Sequence, residues 1–418
     1  MADVIILTDF EEGHIFPTFK MAKNLVENGV SVCYVGVRNI MNYVENQGFE
    51  YEIILEDMFP QEGKGSSNSM AEAQVLSQQF YQGLMDGVLD TLFDKLKPKV
   101  LLTSYFIKLE ALILAYKYDI PQIVYHLMLP PYVEAKPLSF PALVKEICVK
   151  SFAELSGETP NKIIEFILKH RPSIKNLSDI TAPFDEMGHF VLCPQALRIR
   201  GDKTEYEKVQ YLGPCIRGPK DKDKLWFDHH FPARGEQKFL FASLGSQTRV
   251  YPNKALNFFR LIIKMMNDKR MESFHLVLAI GTIIDIDQLG PLPKNVSVFR
   301  WVPQITTLQN VSLFITHGGL GSIKESIYYG VPMIVFPMGR DQKDNAERVV
   351  VKKLGLTGNI ATITHSALIQ LVLDALNNLV ISNAVNCMKD VFRKEEKKQL
   401  EVATIKNKFL TQVSAICE

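Results

Sequence analysis

The sequence has few cysteines and no excess of charge of either sign. Its six cysteines are widely separated and include no C-x-x-C pair, so they indicate neither a zinc site nor a disulfide framework, and we expect reduced thiols. Lysine and arginine number 47 against 46 aspartates and glutamates, a net charge of +1. This balance argues against a nucleic-acid partner and favours a small-molecule partner.

Long apolar runs are also missing. No run reaches the roughly 18 apolar residues of a membrane-spanning helix, and the N-terminal run VIILTDF is too short for a signal-peptide core. We therefore expect a cytoplasmic protein without a membrane span, either a monomer or a homodimer.

Short apolar runs alternate with amphipathic segments along the 418 residues. VIILTD precedes PTFKMAKNLVENG, SVCYVGV precedes NIMNYVENQG, and KVLLTSYF precedes KLEALILAYKYD. Alternation of buried strand and helix predicts βαβ units and a parallel sheet covered on both faces. The same texture returns from KFLFASLGS onward, so we predict an α/β protein of two Rossmann-like, doubly wound domains facing a cleft.

A segment rich in proline, glycine and charge, CIRGPKDKDKLWFDHHFPARGEQ, separates the two halves and is typical of a linker. We predict an N-terminal Rossmann-like domain over 1–215, an interdomain linker over 216–236 and a C-terminal Rossmann-like domain over 237–383. Residues 384–418 are predicted to form a helix that packs back on the N-terminal domain.

The segment from about Leu138 to Arg171 is helical in pattern and rich in phenylalanine and leucine. It fits an insertion over the cleft that lines an apolar acceptor pocket. For any single residue in it, ordinary helix packing remains the alternative, and we assign no acceptor contact.

The most informative stretch runs from Thr316 to Val349, THGGLGSIKESIYYGVPMIVFPMGRDQKDNAERV. LFIT reads as a buried strand and SIKESIYYG as a helix, so HGGLG is a turn at the carboxyl edge of a parallel sheet, where open α/β folds bind ligands. Glycines there let the backbone approach an anion, and the helix start supplies N–H donors. We predict a phosphate site formed by His317, Gly318, Gly319, Gly321 and Ser322, with Glu325 accepting from ribose hydroxyls.

A plainer interpretation of this stretch stays open. A Gly-Gly turn before a helix often serves tight packing, and Ser322 with Glu325 also fits a capping box. Because G-x-G-x-x-G is missing, a dinucleotide fold of the usual oxidoreductase type is disfavoured.

Flanking residues extend the predicted site. Trp301, one of two tryptophans, stands in RWVPQ beside Val302 and three residues before Gln304, and an aromatic plane with an amide suits a uracil ring. After the turn, Asp341 and Gln342 follow a strand and can hold the vicinal hydroxyls of a sugar. Residues suited to bind the base, the phosphate, the ribose and the sugar thus follow one another along the sequence.

The stretch from Trp301 to Val349 closely resembles the donor-binding signature of the family 1 UDP-glycosyltransferases, whose fold is GT-B. The chain length and the two-domain pattern of strands and helices look more like those of the bacterial natural-product and macrolide members than those of the membrane-anchored animal members. By this resemblance the nucleobase stacks on Trp301 with Gln304 assisting, Glu325 holds the ribose, and Asp341 with Gln342 holds the sugar. The pyrophosphate is held by His317, Gly319 and Ser322, with Ser246 of SLGSQ as a further hydroxyl contact. Gly321 departs from the family pattern, which usually has asparagine there.

In the N-terminal half, DFEEGHIFPTFKMAKNL resembles the family's G-H-x-x-P stretch, in which the histidine is the general base. By that resemblance His14 takes the acceptor proton, a role that suits the pKa of imidazole, although a loop histidine alone is more often a plain surface residue. The usual aspartate partner is missing from KVLLTSYF. Ser104 or Asp9 could orient His14 instead, or a phenolic acceptor could need little help.

Other signals are set aside. DID at Asp285 to Asp287 matches the metal-binding D-x-D of some glycosyltransferases, but no phosphate turn adjoins it. DHH at Asp228 to His230 lacks a metal-ligand spacing partner and is read as solvated polar residues.

The predicted function is an inverting, metal-independent hexosyltransferase. It moves a hexose, with glucose as the first candidate, from a UDP-sugar to a hydroxyl of an apolar or phenolic natural product. No cofactor is expected beyond the donor co-substrate. Two alternatives stay open: a non-catalytic nucleotide-binding accessory protein of the same fold, and a glycosyltransferase that uses a TDP-deoxysugar.

Overall fold

Two parallel sheets organise the chain. The computed structural model describes residues 2–8, 12–56, 70–129, 159–172, 183–184, 186–200, 202, 209–219, 221–232 and 237–401. Most of the insertion predicted over 138–171 lies outside these residues.

The N-terminal sheet has seven parallel strands in the order β3-β2-β1-β4-β5-β6-β7. They are β1 Val4–Leu7, β2 Val32–Gly36, β3 Glu50–Ile53, β4 Val100–Ser104, β5 Gln122–His126, β6 Gly188–Val191 and β7 Val209–Tyr211. The strand order reverses between β1 and β4, whose registers pair Val4 with Val100 and Leu7 with Thr103.

Helices cover both faces of this sheet. They are α1 Glu12–Ile15, α2 Thr18–Glu27, α3 Arg38–Glu45, α4 Met70–Asp86, α5 Asp90–Leu96, α6 Lys108–Lys117 and α7 Thr159–His170, with a 3₁₀ turn at Tyr105–Ile107. Successive residues of a strand point to opposite faces, so Ile5 and Leu7 pack in one apolar cluster while Val4 and Ile6 pack in another. Burial on both faces explains why VIIL is apolar throughout rather than alternating.

The C-terminal sheet has six parallel strands in the order β10-β9-β8-β11-β12-β13. They are β8 Lys238–Ser243, β9 Phe274–Ala279, β10 Val296–Phe299, β11 Leu313–Thr316, β12 Met333–Val335 and β13 Gly355–Thr357. Here the order reverses between β8 and β11, which pair Leu240 with Leu313 and Ser243 with Thr316.

The helices of this part are α8 Asp221–His230, α9 Gln247–Val250, α10 Pro252–Met265, α11 Gln304–Leu308, α12 Leu320–Tyr329, α13 Gln342–Val351, α14 His365–Asn377 and α15 Leu379–Glu401, with 3₁₀ turns at Lys269–Met271 and Ile286–Leu289. One face of α10 buries Phe258, Phe259 and Ile262 in the main apolar cluster, where α14 contributes Leu368 and Val372. The two α/β domains predicted from the alternation of strands and helices are confirmed.

The units do not follow a single cut in the sequence. The N-terminal unit comprises Met1–Leu192, Lys203–Cys215 and Lys398–Glu418, and the C-terminal unit comprises Cys193–Asp202 and Ile216–Lys397. The short excursion Cys193–Asp202 is fixed within the C-terminal unit by an ion pair between Arg348 and Asp202, 2.8 Å long, whose side chains are each 3% exposed. Asp202 also accepts from the backbone N–H of Ile199 at 3.0 Å.

The segment predicted as a linker contains α8. This helix has one buried aromatic residue, Phe227, whose ring meets those of Phe231 and Phe239 at 4.8 and 5.2 Å. So few apolar positions give no helical period in the sequence, which is why the helix was not predicted.

The closing helix α15 begins at Leu379, earlier than the predicted 384. It buries Ile381, Val385 and Phe392, and Glu396 accepts a hydrogen bond from the Tyr328 hydroxyl of α12. That it packs back on the N-terminal domain stays a prediction. Among the described residues, no single helix is long and apolar enough to cross a membrane, and one pair bent by 59°, His365–Asn377 with Leu379–Glu396, reaches that length and composition together.

Candidate active site

Two loops meet where the C-terminal sheet reverses its strand order. One follows β8 and carries Gly245 and Ser246, and the other follows β11 and carries His317, Gly318 and Gly319. A Cβ added at Gly245 would lie 3.0 Å from Cε1 of His317, so the loops are in contact. Crevices at such switch points are where open α/β sheets bind ligands.

The two adjacent glycines of this turn both fit close packing, and Gly318 also has a backbone conformation that favours glycine. Gly318 has φ +88°, and a Cβ there would lie 2.4 Å from Cγ1 of Val335. A Cβ at Gly319 would lie 2.6 Å from Nε2 of the His317 ring. Tight packing therefore accounts for both glycines, and it draws the turn close to β12 and to the histidine.

Helix α12 begins at Leu320, with Gly319 as its N-cap residue and no side-chain hydrogen bond to the cap. Ser322 is thus the third residue of the helix, so the capping-box interpretation of Ser322 and Glu325 is wrong. The first N–H groups of a helix have no intrahelical acceptor. Without a capping side chain, they form the type of donor set that binds anions.

His317 is buried beside this helix start, with 8% of its surface exposed. Burial lowers the pKa of its imidazole to about 4, so the ring is neutral at neutral pH and carries one N–H. Its Nδ1 is buried and has no hydrogen-bond partner among the described residues. The ring can therefore donate one hydrogen bond without bringing a charge.

The residues predicted to bind the base and the ribose are joined by hydrogen bonds. Gln304, the first residue of α11, donates from Nε2 to Glu325 at 2.6 Å and to the Ser322 hydroxyl at 3.2 Å. Burial raises the pKa of the Glu325 carboxyl, and the bond from Gln304 opposes that shift. The side chains of Gln304, Ser322 and Glu325 thus form one polar cluster on the first turns of α11 and α12.

The residues around Trp301 divide sharply by exposure. Trp301 is 63% exposed, whereas its neighbour Val302 is 4% exposed and belongs to the core. An indole held outward next to a buried anchor offers a flat surface for stacking. Ser246 is also exposed and lies immediately before the short helix α9.

Gln342 and Asp341, the two residues predicted to bind the sugar, are held by different hydrogen bonds. Gln342 is 2% exposed, and its Oε1 accepts from the backbone N–H groups of Met338 and Gly339 at 2.8 and 3.1 Å. The side-chain carbonyl of Gln342 therefore fixes the loop after β12. Asp341 is half-buried and accepts from Nδ2 of Asn345 at 2.8 Å.

In the N-terminal unit, His14 lies on α1 after β1, and Ser104 ends β4, on either side of that sheet's own reversal. The half-buried His14 ring stacks on Phe106 with centroids 4.0 Å apart and planes 3° apart. The Ser104 hydroxyl accepts from the Phe106 N–H at 3.2 Å and so holds the residue on which His14 rests. Asp9 lies outside the described residues.

The signals set aside have structural roles. Asp285 caps the 3₁₀ turn Ile286–Leu289 in a capping box with Gln288, and its carboxylate pairs with Arg300 at 3.0 Å. His229 and His230 are exposed at the end of α8, and the His230 ring stacks on Trp226.

Comparison with known proteins gives similarity to glycosyltransferases. Residues 216–409 match the family model described as UDP-glucoronosyl and UDP-glucosyl transferase. The chain is 25% identical over 349 residues to NDP-glycosyltransferase YjiC of Bacillus licheniformis, covering 82% of this chain and 81% of that protein. It is 34% identical over 172 residues to oleandomycin glycosyltransferase of Streptomyces antibioticus, covering 41% and 37%. The crystal structure of the glycotransferase of kitacinnamycin superposes with a TM-score of 0.73 at 24% identity, covering 97% of this chain and 98% of that one.

The chain is thus similar to the family 1 glycosyltransferases, and its match to the family model lies in the C-terminal half. Its two parallel-sheet, Rossmann-like domains are those of the GT-B fold, as the sequence predicted.

Two residues of the candidate site could not be predicted from the sequence. Asn345 joins the turn after β11 to Asp341, since its Nδ2 donates to the Gly318 carbonyl at 3.0 Å as well as to the Asp341 carboxylate. Phe106 carries the His14 ring. The only sequence signal for Asn345 is its position four residues after Asp341 on one helix face, and Phe106 has none beyond following the candidate strand end.

Proposed function

We propose that this glycosyltransferase moves a hexose, first of all glucose, from a UDP-sugar to a hydroxyl of an apolar or phenolic small molecule, with inversion and without a metal ion. The observation that carries the donor half is the grouping, at the reversal of the C-terminal sheet, of an uncapped helix start, a neutral buried His317 and the Gln304–Ser322–Glu325 cluster. That grouping fits a nucleoside diphosphate.

Each part of the donor has a matching group in this proposal. The exposed Trp301 indole takes the uracil, and Glu325 accepts from the ribose hydroxyls. The N–H groups at the start of α12, together with His317 and the Ser246 and Ser322 hydroxyls, hold the diphosphate. Asp341 accepts from hydroxyls of the hexose, and the Gln342 amide, whose carbonyl already binds backbone, contributes its NH₂ group.

In the reaction, the acceptor oxygen forms a bond to the anomeric carbon as the bond from that carbon to the diphosphate oxygen breaks. The acceptor proton passes to His14, and the bonding electrons leave with UDP. The transition state is oxocarbenium-like, as in other glycosyl transfers, and preorganised N–H donors stabilise the charge that develops on the diphosphate. Attack opposite the leaving group inverts the anomeric centre.

His14 suits the role of base because its ring plane is fixed. The parallel stack on Phe106 restricts rotation of the imidazole, and the Ser104 hydroxyl anchors Phe106 in turn. This arrangement takes the place of the aspartate partner expected from the family pattern, and it orients the ring without a negative charge at that strand end. An acidic acceptor such as a phenol needs less from such a base, and the natural-product name of the oleandomycin relative supports a small aglycone.

The test measures UDP release from UDP-glucose with a panel of flavonoid, macrolide and carotenoid alcohols, with product masses recorded in parallel. The native enzyme, His14→Ala and the control His230→Ala are compared, because His230 is an exposed histidine whose ring also stacks on an aromatic side chain, that of Trp226, with centroids 4.3 Å apart. We expect acceptor-dependent release and a hexose mass gain that His14→Ala loses and His230→Ala keeps.

Other outcomes would overturn defined parts of the proposal. Turnover that survives His14→Ala removes the assigned base. Turnover with a TDP-deoxysugar and none with UDP-glucose replaces the donor, and binding of UDP with no turnover on any donor favours the accessory role. Loss of activity in a chelator, restored by Mg²⁺ or Mn²⁺, contradicts the metal-independent mechanism.

A further inference from the structure

Asn345 is a buried side chain that connects the predicted phosphate turn to Asp341, which is predicted to bind the sugar. It is 1% exposed and lies four residues after Asp341, one helical turn along α13. Its Nδ2 donates at 3.0 Å to the carbonyl of Gly318 and at 2.8 Å to Oδ2 of Asp341. A primary amide has two N–H donors, and these two bonds use both.

The two ends of this bridge differ in how they are held. Gly318 donates its N–H to the Thr316 hydroxyl at 3.3 Å, and its backbone has a φ of +88°. Asp341 precedes α13 and makes no side-chain cap bond to that helix. A hydrogen bond to a carboxylate is stronger than one between neutral groups, so the bond from Asn345 restrains the direction of the Asp341 carboxylate.

We infer that Asn345 is a positioning residue for sugar recognition: it aims the Asp341 carboxylate at the hexose from the same carbonyl that shapes the diphosphate turn. Donor binding then has two separable parts. UDP is held by groups on α11, α12 and the turn after β11, whereas discrimination among sugars depends on Asp341 as Asn345 places it. This inference rests on the proposed function, since it assumes that Asp341 contacts the sugar.

Asn345→Asp is the sharpest perturbation because it keeps size and shape while it replaces the NH₂ group, and with it both N–H donors, by an acceptor oxygen. That oxygen would face both the Asp341 carboxylate and the Gly318 carbonyl, so repulsion turns Asp341 away. We expect the KM for UDP-glucose to rise, or kcat/KM to fall, by about 10-fold to 100-fold, the range for loss of a hydrogen bond to a charged group. The Kd for UDP alone should rise by a smaller factor, because UDP lacks the hexose.

A matched control is Asn295→Asp. Asn295 lies in the same unit and also donates through Nδ2 to backbone carbonyls, those of Met266, Met271 and Phe274 at 3.2 to 3.4 Å, but it touches no predicted donor group. It should lower thermal stability and leave the ratio of UDP-glucose to UDP affinity unchanged.

A double-mutant cycle completes the experiment. If Asn345 acts through Asp341, then Asn345→Asp adds little to the loss of UDP-glucose recognition in an Asp341→Ala background. Additive effects, or equal losses of UDP and UDP-glucose affinity, would overturn the inference. Failure of the native enzyme to bind UDP would instead overturn the proposed function, so the two failures are distinguishable by calorimetric titration with UDP.

Discussion

Gly321 offers the clearest test of how the diphosphate is held. It is the second residue of α12 and is exposed, and a Cβ added there would meet no heavy atom within 4 Å. Its φ is not in the left-handed region, so nothing in the fold requires glycine at this position. The family pattern usually has asparagine there, and the structure has space for it.

Gly321→Ala should stabilise the protein by about 0.4 to 1 kcal/mol, because alanine reduces the freedom of the unfolded chain and favours helix. Gly321→Asn should gain part of this stability and add an amide N–H next to the uncapped helix start. One hydrogen bond to the diphosphate, at a net value of about 1 kcal/mol, lowers the Kd for UDP about five-fold. Gly321→Asp has the shape of asparagine but places negative charge there, so its UDP affinity should be lower than that of the alanine variant.

The assays are denaturant unfolding for stability and calorimetric titration with UDP for affinity. Comparison with Gly321→Ala separates the effect of helix propensity from that of the amide. Equal UDP affinities for the alanine, asparagine and aspartate variants would show that position 321 does not face the diphosphate, and the assignment of the α12 start as the phosphate site would be refuted.

Three further predictions concern stability. Gly318→Ala should cost about 1 to 3 kcal/mol of unfolding free energy, because its φ is +88° and a Cβ would lie 2.4 Å from a side-chain carbon at the end of β12; unchanged urea unfolding would contradict the turn geometry. Burial lowers the pKa values of His317 and His189 from 6.5 to about 4, so the unfolded chain binds more protons than the folded one between these values. The free energy of unfolding should therefore be highest above pH 6.5 and fall towards pH 4, by about 1 to 3 kcal/mol for each histidine. The variant His317→Gln should show a weaker pH dependence of urea unfolding; an equally steep profile would count against a buried, neutral His317. Arg348→Met should destabilise the C-terminal unit by about 3 to 5 kcal/mol because it leaves the Asp202 carboxylate buried without its ion-pair partner. The double variant Arg348→Met with Asp202→Leu should recover much of this stability in thermal melts; no recovery would mean that loss of the ion pair does not cause the destabilisation.

The sequence was sufficient to predict the two α/β domains and most central strands, because strands buried on both faces contain runs of consecutive apolar residues, such as FLFA in β8 and LFI in β11. It was insufficient for strands with partly exposed residues. Glu50–Ile53 reads EYEI, with none of its four residues buried, and Gly355–Thr357 is three residues long. Neither gives an apolar run, and both are edge strands that only the neighbouring strand defines.

The same limit applies to the candidate site. The turn after β11 could be predicted because its glycines, its strand and its helix are contiguous in the sequence. The bond from Asn345 to Gly318 joins residues 27 apart, and the stack of His14 on Phe106 depends on two strands that are neighbours only in the sheet. Spacing within a motif carries no information about such contacts.

The excursion of Cys193–Asp202 into the C-terminal unit determines how this enzyme can be recombined with its relatives. A chimera joined at 215/216 would combine a foreign counterpart of this segment with the native C-terminal unit and would deprive Arg348 of Asp202. A functional exchange of N-terminal units must therefore retain residues 193–202 from the parent that supplies the C-terminal unit, so the transferable module is discontinuous in sequence.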